Sequence, residues 1–260
     1  VFWQKPGFSA NEARTNKLVD KRYNKGILGG KIRGNQVQRL ATEIIDDLAL
    51  GIDALPETDA LNRLLNGQIA ALQAVSPAIP AIAQGAELVE AALSVSVRLF
   101  YVGAGSSALM ANADGLEMAG TFGTDPAQVV LCMAGGLPQD SAMPGQTEDD
   151  TDQAGQDAKL TGPGDVAIVV TASGRTPYAL HFAEVAKSNG ASIIAIANNP
   201  GAPIFNLADV AICLETPPEM VAGSTRMAAG TAQKAALNMM STLAGIRLGH
   251  VHDGMMVNLH

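Results

Sequence analysis

Two hydrophobic patterns divide this chain. Over 57–93, Ala, Leu and Ile recur at spacings of three and four, which predicts helix, and Pro77 and Pro80 break the pattern into two helices. Glu57-Thr58-Asp59, just after Pro56, has the acidic character of a helix start. From Val97 the pattern changes to short, unalternating apolar runs at Val97–Val102, Val129–Met133, Val166–Thr171, Ser192–Ala197 and Val210–Leu214. Helical spacing fills the intervals at about 106–118, 150–159 and 177–188. Unalternating Val/Ile runs suit strands buried on both faces, so the order predicts an α/β fold with a five-stranded, doubly wound parallel sheet. Such sheets bind ligands beyond the carboxyl ends of their strands. A last helix, Met227 to Leu248, is apolar nearly all round and is expected to be buried, at a subunit interface among other places.

Composition adds a boundary. The 260 residues carry a net charge of −8, but residues 1–40 hold nine Lys/Arg against Glu12 and Asp20, a net of +7, which leaves −15 for the remainder. Three readings fit the basic segment: a basic arm, a start-site or expression artefact, or a targeting extension. The organisation read here is a basic extension over 1–41, disordered or artefactual, followed by one domain over 42–260. An acidic body is a poor electrostatic partner for nucleic acid. No uninterrupted apolar run approaches the roughly 20 residues of a membrane span, which reads as a soluble protein without a membrane partner. Cys132 and Cys213 stand singly in apolar runs and read as reduced, buried thiols of a cytoplasmic protein.

Candidate chemistry gathers at the predicted strand ends. After the first strand comes Gly103-Ala104-Gly105-Ser106-Ser107, whose glycines admit a ligand close to the backbone and whose hydroxyls open a helix. With Ala108 the run also scans as a dinucleotide fingerprint. The second strand, however, ends Met133-Ala134-Gly135-Gly136, without the acid that would hold a ribose. The third strand ends Thr171-Ala172-Ser173-Gly174-Arg175-Thr176-Pro177, again rich in hydroxyl donors before a helix. Two such loops without a Walker lysine point to a phosphate on a small molecule. A third loop, Pro218-Glu219 to Gly223-Ser224-Thr225-Arg226, could reach the same ligand; Glu219 there either touches a sugar hydroxyl or caps a helix.

Specific runs carry a resemblance. Ala172-Ser173-Gly174-Arg175-Thr176-Pro177-Tyr178, then Gly223-Ser224-Thr225-Arg226-Met227 with Ala229-Gly230-Thr231-Ala232-Gln233-Lys234, then Leu237-Asn238-Met239 with Ser241-Thr242, resemble the N-acetylmuramic acid 6-phosphate etherases. These are sugar isomerase (SIS) domain proteins, and the similarity spans Tyr101 to Val257, more weakly back to Thr42. The resemblance implies a three-layer SIS fold with flavodoxin-like strand order and flanking N-terminal helices. It implies a homodimeric lyase that removes D-lactate from a sugar phosphate without metal or organic cofactor.

Two glutamates match the family's catalytic pair. Glu117, in Asp114-Gly115-Leu116-Glu117, falls at the acid that assists lactate departure, and Glu148 at the second glutamate, the base at C2. Gly105, Ser106, Ser107, Ser173, Gly174, Arg175, Thr176, Glu219, Ser224 and Thr225 are then the expected phosphate and substrate contacts. The chain departs from the family at Ser106-Ser107-Ala108-Leu109, where an arginine is usual, at Met118-Ala119-Gly120, at Ala228 and across 137–147. The helical C-terminal region of the family is expected to be absent beyond His260. A non-catalytic sugar-phosphate regulator and an aldose–ketose isomerase remain as alternatives.

Overall fold

The computed structural model describes residues 44–141, 143 and 146–258; the basic segment lies outside them. Helix α1 (Glu57–Gln73) opens directly after Pro56 with Glu57 and Asp59 in its first turn, and α2 (Ile79–Ser94) follows a short turn at Ser76–Ala78. Taken together, Glu57–Ser94 has the length and composition of a membrane span, with a window of mean hydropathy 1.3, contrary to the sequence expectation. The turn at Ser76–Ala78 nevertheless splits it into two helices, and both pack on the last helix of the domain.

The sheet then forms from β1 (Leu99–Gly103), β2 (Val129–Met133), β3 (Val166–Thr171), β4 (Ser192–Ala197) and β5 (Val210–Cys213). All neighbouring strands are parallel, in the order β2-β1-β3-β4-β5. This is the flavodoxin-like order, and its switch point lies between β1 and β3. The helices between strands are α3 (Gly105–Phe122), α4 (Thr151–Ala158) and α5 (Pro177–Ser188); α6 (Ala228–Arg247) closes the domain. A small antiparallel hairpin, β6 (Val251–His252) with β7 (Met255–Met256), has no counterpart in the sequence reading.

Three layers result because strand side chains alternate between faces. Leu99, Tyr101, Ile168, Val170, Ile194 and Ile196 point towards α2, α3 and α6. Phe100, Val102, Ala167, Val169, Ile193 and Ala195 point towards α4 and α5. Both faces are covered, which is why the runs do not alternate in polarity. At the amino ends of the strands Asp165 binds the Arg98 backbone N–H (2.9 Å) and its guanidinium (2.7 Å), fixing β1 against β3. Met240 on α6 is buried, whereas Met239, Met255 and Met256 are exposed.

The backbone packs closely where β1 turns into α3. A Cβ on Gly103 would lie 2.9 Å from the Val170 carbonyl oxygen and 3.0 Å from the Ala108 backbone. Those neighbours are backbone and cannot swing aside. Gly103→Ala is therefore expected to destabilise the domain by about 1–3 kcal/mol, the usual cost of overpacking. The measurement is a denaturant unfolding curve, in which the midpoint falls while the slope is retained.

Candidate active site

The β1 and β3 loops meet at the switch point. At the first, Gly105 takes φ +53, which begins α3, and Ser107 is buried at the helix start while Ser106 is half-buried. At the second, the Thr171 and Thr176 hydroxyls lie 2.8 Å apart, and Gly174 N–H donates to Thr171 Oγ1 (3.2 Å). Arg175 N–H donates to Ser173 Oγ (3.1 Å). Gly174 sits at φ +69, and a Cβ there would come within 2.2 Å of Ala202 Cβ, so only glycine lets this loop lie flat on the β4 exit. Thr176 precedes Pro177 at the start of α5 without capping it, and its hydroxyl pairs with that of Thr171 instead. Arg175 is exposed at the loop tip.

The second strand brings Glu148 to the same end of the sheet. A cavity of about 180 Å³ is lined by Gly105, Met133, Ala134, Met143, Gln146, Thr147 and Glu148. It joins the β1 loop to the expected base. Glu148 is free for this because Asp150, not Glu148, caps α4, accepting from Gln153 N–H at 2.8 Å. Gln153 in turn clasps the β2 exit: its Oε1 accepts from Gly135 N–H (2.8 Å) and its Nε2 donates to the Met133 carbonyl (3.3 Å). This clasp was not read from the sequence, where a glutamine in a polar helix carries no distinguishing signal.

Glu219 is buried and its carboxylate is used internally. Oε2 and Oε1 accept from the backbone N–H groups of Ala228 (2.8 Å) and Ala229 (3.0 Å), closing the start of α6. Of the two sequence readings, this structure realises the cap. Burial pushes the Glu219 carboxyl above the ordinary glutamate range, and the two N–H donors pull in the opposite direction. Ser224 and Thr225 remain half-buried in the loop this cap holds, with the Thr225 carbonyl accepting from Gly230 N–H.

Glu117 is not brought to this cavity. It is exposed on α3, twelve residues beyond Gly105, which is ~18 Å of helix at 1.5 Å per residue. One turn before it, Asp114 is buried and three side chains converge on it. Tyr101 Oη donates to Oδ2 (2.9 Å), while Asn238 Nδ2 (2.6 Å) and Ser241 Oγ (2.9 Å) donate to Oδ1. Burial pushes the Asp114 carboxyl up, against the pull of those hydrogen bonds. Ser107, Ala111, Asp114, Met118 and Phe122 form the buried stripe of α3, so the acid was visible in the sequence as one charge on an apolar face. Among the described residues no group of three or more His, Cys, Asp or Glu could hold a metal ion.

With this geometry in place, comparison with known proteins is decisive. A family model of the SIS domain matches residues 143–243. The N-acetylmuramic acid 6-phosphate etherase of Burkholderia lata is 41% identical over 227 residues, covering 86% of this chain and 74% of the relative. The etherase of Geobacillus thermodenitrificans is 40% identical, with 86% and 76% covered. This chain belongs to the N-acetylmuramic acid 6-phosphate etherase family. Its fold recurs in the Vibrio vulnificus NanR protein complexed with ManNAc-6P (TM-score 0.56, 16% identity, 78% of this chain and 68% of that one). It recurs too in a phosphoheptose isomerase from Francisella tularensis (TM-score 0.52, 19% identity, 74% and 100%).

The Glu219 cap yields a pH prediction. The folded carboxyl sits above its unfolded value, so its contribution to stability is full below the unfolded pKa and is lost as pH rises through the folded one. The stability of the wild type relative to Glu219→Gln should therefore decline from acidic towards neutral pH. Parallel urea titrations across that range measure it. Glu219→Ala leaves two buried N–H donors unpaired and should cost about 2–4 kcal/mol.

Proposed function

We propose that this protein is a carbon–oxygen lyase that cleaves the D-lactyl ether of N-acetylmuramic acid 6-phosphate, giving N-acetylglucosamine 6-phosphate and D-lactate. Family membership at 41% identity over most of the chain carries this reading. The protein acts in the cytoplasm, in amino-sugar and cell-wall recycling, as a homodimer without metal or organic cofactor.

Lactate is a poor leaving group, but in the open-chain aldehyde it stands β to the carbonyl and the C2 proton becomes acidic. Glu148 takes that proton, the C3–O bond breaks, and Glu117 protonates the departing lactyl oxygen. Water then adds at C3 and a proton returns to C2, leaving the free hydroxyl. Ser106, Ser107, Ser173, Arg175, Thr176, Ser224 and Thr225 hold the phosphate, aided by the backbone at Gly105 and Gly174. With net charge −15 over 41–260, the domain holds an anion through such local donors rather than through its overall field.

The cavity beside Gly105 supports Glu148 as the base. Glu117, ~18 Å along α3, lies farther from the phosphate loops than C2 and C3 of a hexose phosphate extend. The reading therefore takes Glu117 from the second subunit of the dimer. A regulator on the same fold is the second reading, favoured by the separation of the two glutamates within one chain.

Incubation with N-acetylmuramic acid 6-phosphate should release D-lactate. Glu117→Gln and Glu148→Gln should each reduce kcat on the order of 10²- to 10⁴-fold, the usual contribution of general acid or base. Glu117→Gln and Ser173→Ala subunits, inactive alone, should recover about a quarter of wild-type activity when mixed, because half the dimers then carry one intact shared site. No recovery would place each site within one subunit. Phosphosugar binding without lactate release by the wild type would favour the regulator.

A further inference from the structure

Helices α3 and α6 run side by side in the same direction. Gly230 lies beside Met110, Asn238 and Ser241 bond Asp114, and Gly245 lies against Phe122. The α6 edge of this seam is therefore the stripe Gly230, Lys234, Asn238, Ser241 and Gly245, at spacings of four, four, three and four. The α3 residues that meet it are Met110, Asp114 and Phe122, and the exposed Glu117 lies three residues past Asp114 on the same helix.

Lys234 is exposed on that stripe, and its ammonium does not stand free. Nζ donates to Asn238 Oδ1, and Asn238 Nδ2 donates to the buried Asp114. The relay carries the ammonium one turn along α6, to the level of Asp114. Glu117 is one turn further on α3, ~5 Å of helix rise away. A tethered cation on α6 and an exposed carboxylate on α3 thus lie about one helix turn apart along the seam. Among the described residues no ion pair joins them and none engages Lys234. A lysine with no ion-pair partner, tethered by an amide that is itself tethered by a buried acid, is organised to receive an anion that the protein does not supply.

We propose that Lys234 is the recognition residue for the carboxylate of the departing lactyl group, with Asn238 and Asp114 as the positioning residues that hold it beside Glu117. This rests on the etherase reading and adds to it what distinguishes the leaving group. The lactyl carboxylate is two bonds from the ether oxygen that Glu117 protonates, so a cation beside that acid is where such a leaving group places its charge. The ammonium also offsets the repulsion between the Glu117 carboxylate and the substrate carboxylate during approach.

Two substrates separate this from a structural role: N-acetylmuramic acid 6-phosphate and the same compound with its lactyl carboxyl converted to the primary amide. Lys234→Met should raise KM for the acid about ten- to a hundredfold, the worth of a charge-assisted contact, with little change for the amide. Lys234→Arg should restore most of the loss. The wild type should itself discriminate against the amide by a similar factor. Asn238→Ala should reproduce part of the KM effect on the acid alone. Equal losses on both substrates, or no loss on either, would overturn the assignment while leaving D-lactate release by the wild type intact. A wild type that releases no D-lactate from the acid would overturn the etherase reading and this one with it. Lys234 is exposed, so an unchanged thermal melt checks that its variants are folded, while Asn238→Ala, which also removes a donor to Asp114, is read from the ratio of its KM values for acid and amide.

Discussion

One buried carboxylate determines how the working surfaces of this domain are related. Asp114 takes hydrogen bonds from Tyr101 on β1 and from Asn238 and Ser241 on α6, while its own backbone belongs to α3. A charge removed from water is costly unless hydrogen bonds replace hydration, and three donors do so here. Removing any one donor leaves the acid undersatisfied, so the strand and both helices are held in one register. Tyr101 shows the reciprocal effect: burial first, and then the neighbouring Asp114, push its hydroxyl well above the usual phenol range. The neutral phenol is thereby kept as a donor.

The sheet distributes the remaining chemistry by topology. Because β1 and β3 are neighbours and their helices leave on opposite faces, the hydroxyl-rich loops after them share one crevice. The β2 exit lies on the other side of β1, and Gln153 pins it there, which brings Glu148 to the edge of that crevice. Glu219 uses the start of α6 for an internal carboxylate, whereas the starts of α3 and α5 carry no side-chain cap. Each position follows from strand order and helix direction before any side-chain detail is considered.

Much of this was legible in the sequence because it depends on local pattern. Unalternating runs place β2, β3 and β4 at their observed bounds, and β1 is shifted only from Val97–Val102 to Leu99–Gly103. The two hydroxyl loops were found because glycine and serine before a helix are unusual together. Glu219 was ambiguous because a carboxylate before a helix can face outward or inward, and burial decides which. The distance between Glu117 and Glu148 could not be read. The predicted helix over 106–118 already carries Glu117 along α3, but the placement of Glu148 depends on the loop after β2, which has no periodic pattern. The Lys234–Asn238–Asp114 relay was also hidden, since it is a contact between residues 124 positions apart in the chain.

The Gln153 clasp has an implication for the segment that follows β2. Gln153 grips the backbone at Met133 and Gly135, and Thr147 Oγ1 donates to the Ala134 carbonyl at 3.3 Å, so both ends of the intervening segment are anchored to one strand terminus. Between those anchors Leu137, Pro138, Gln139 and Asp140 wall a neighbouring cleft of about 350 Å³ and belong to none of the strands. Substitutions there can reshape the cleft wall while Glu148 and the strand remain in place.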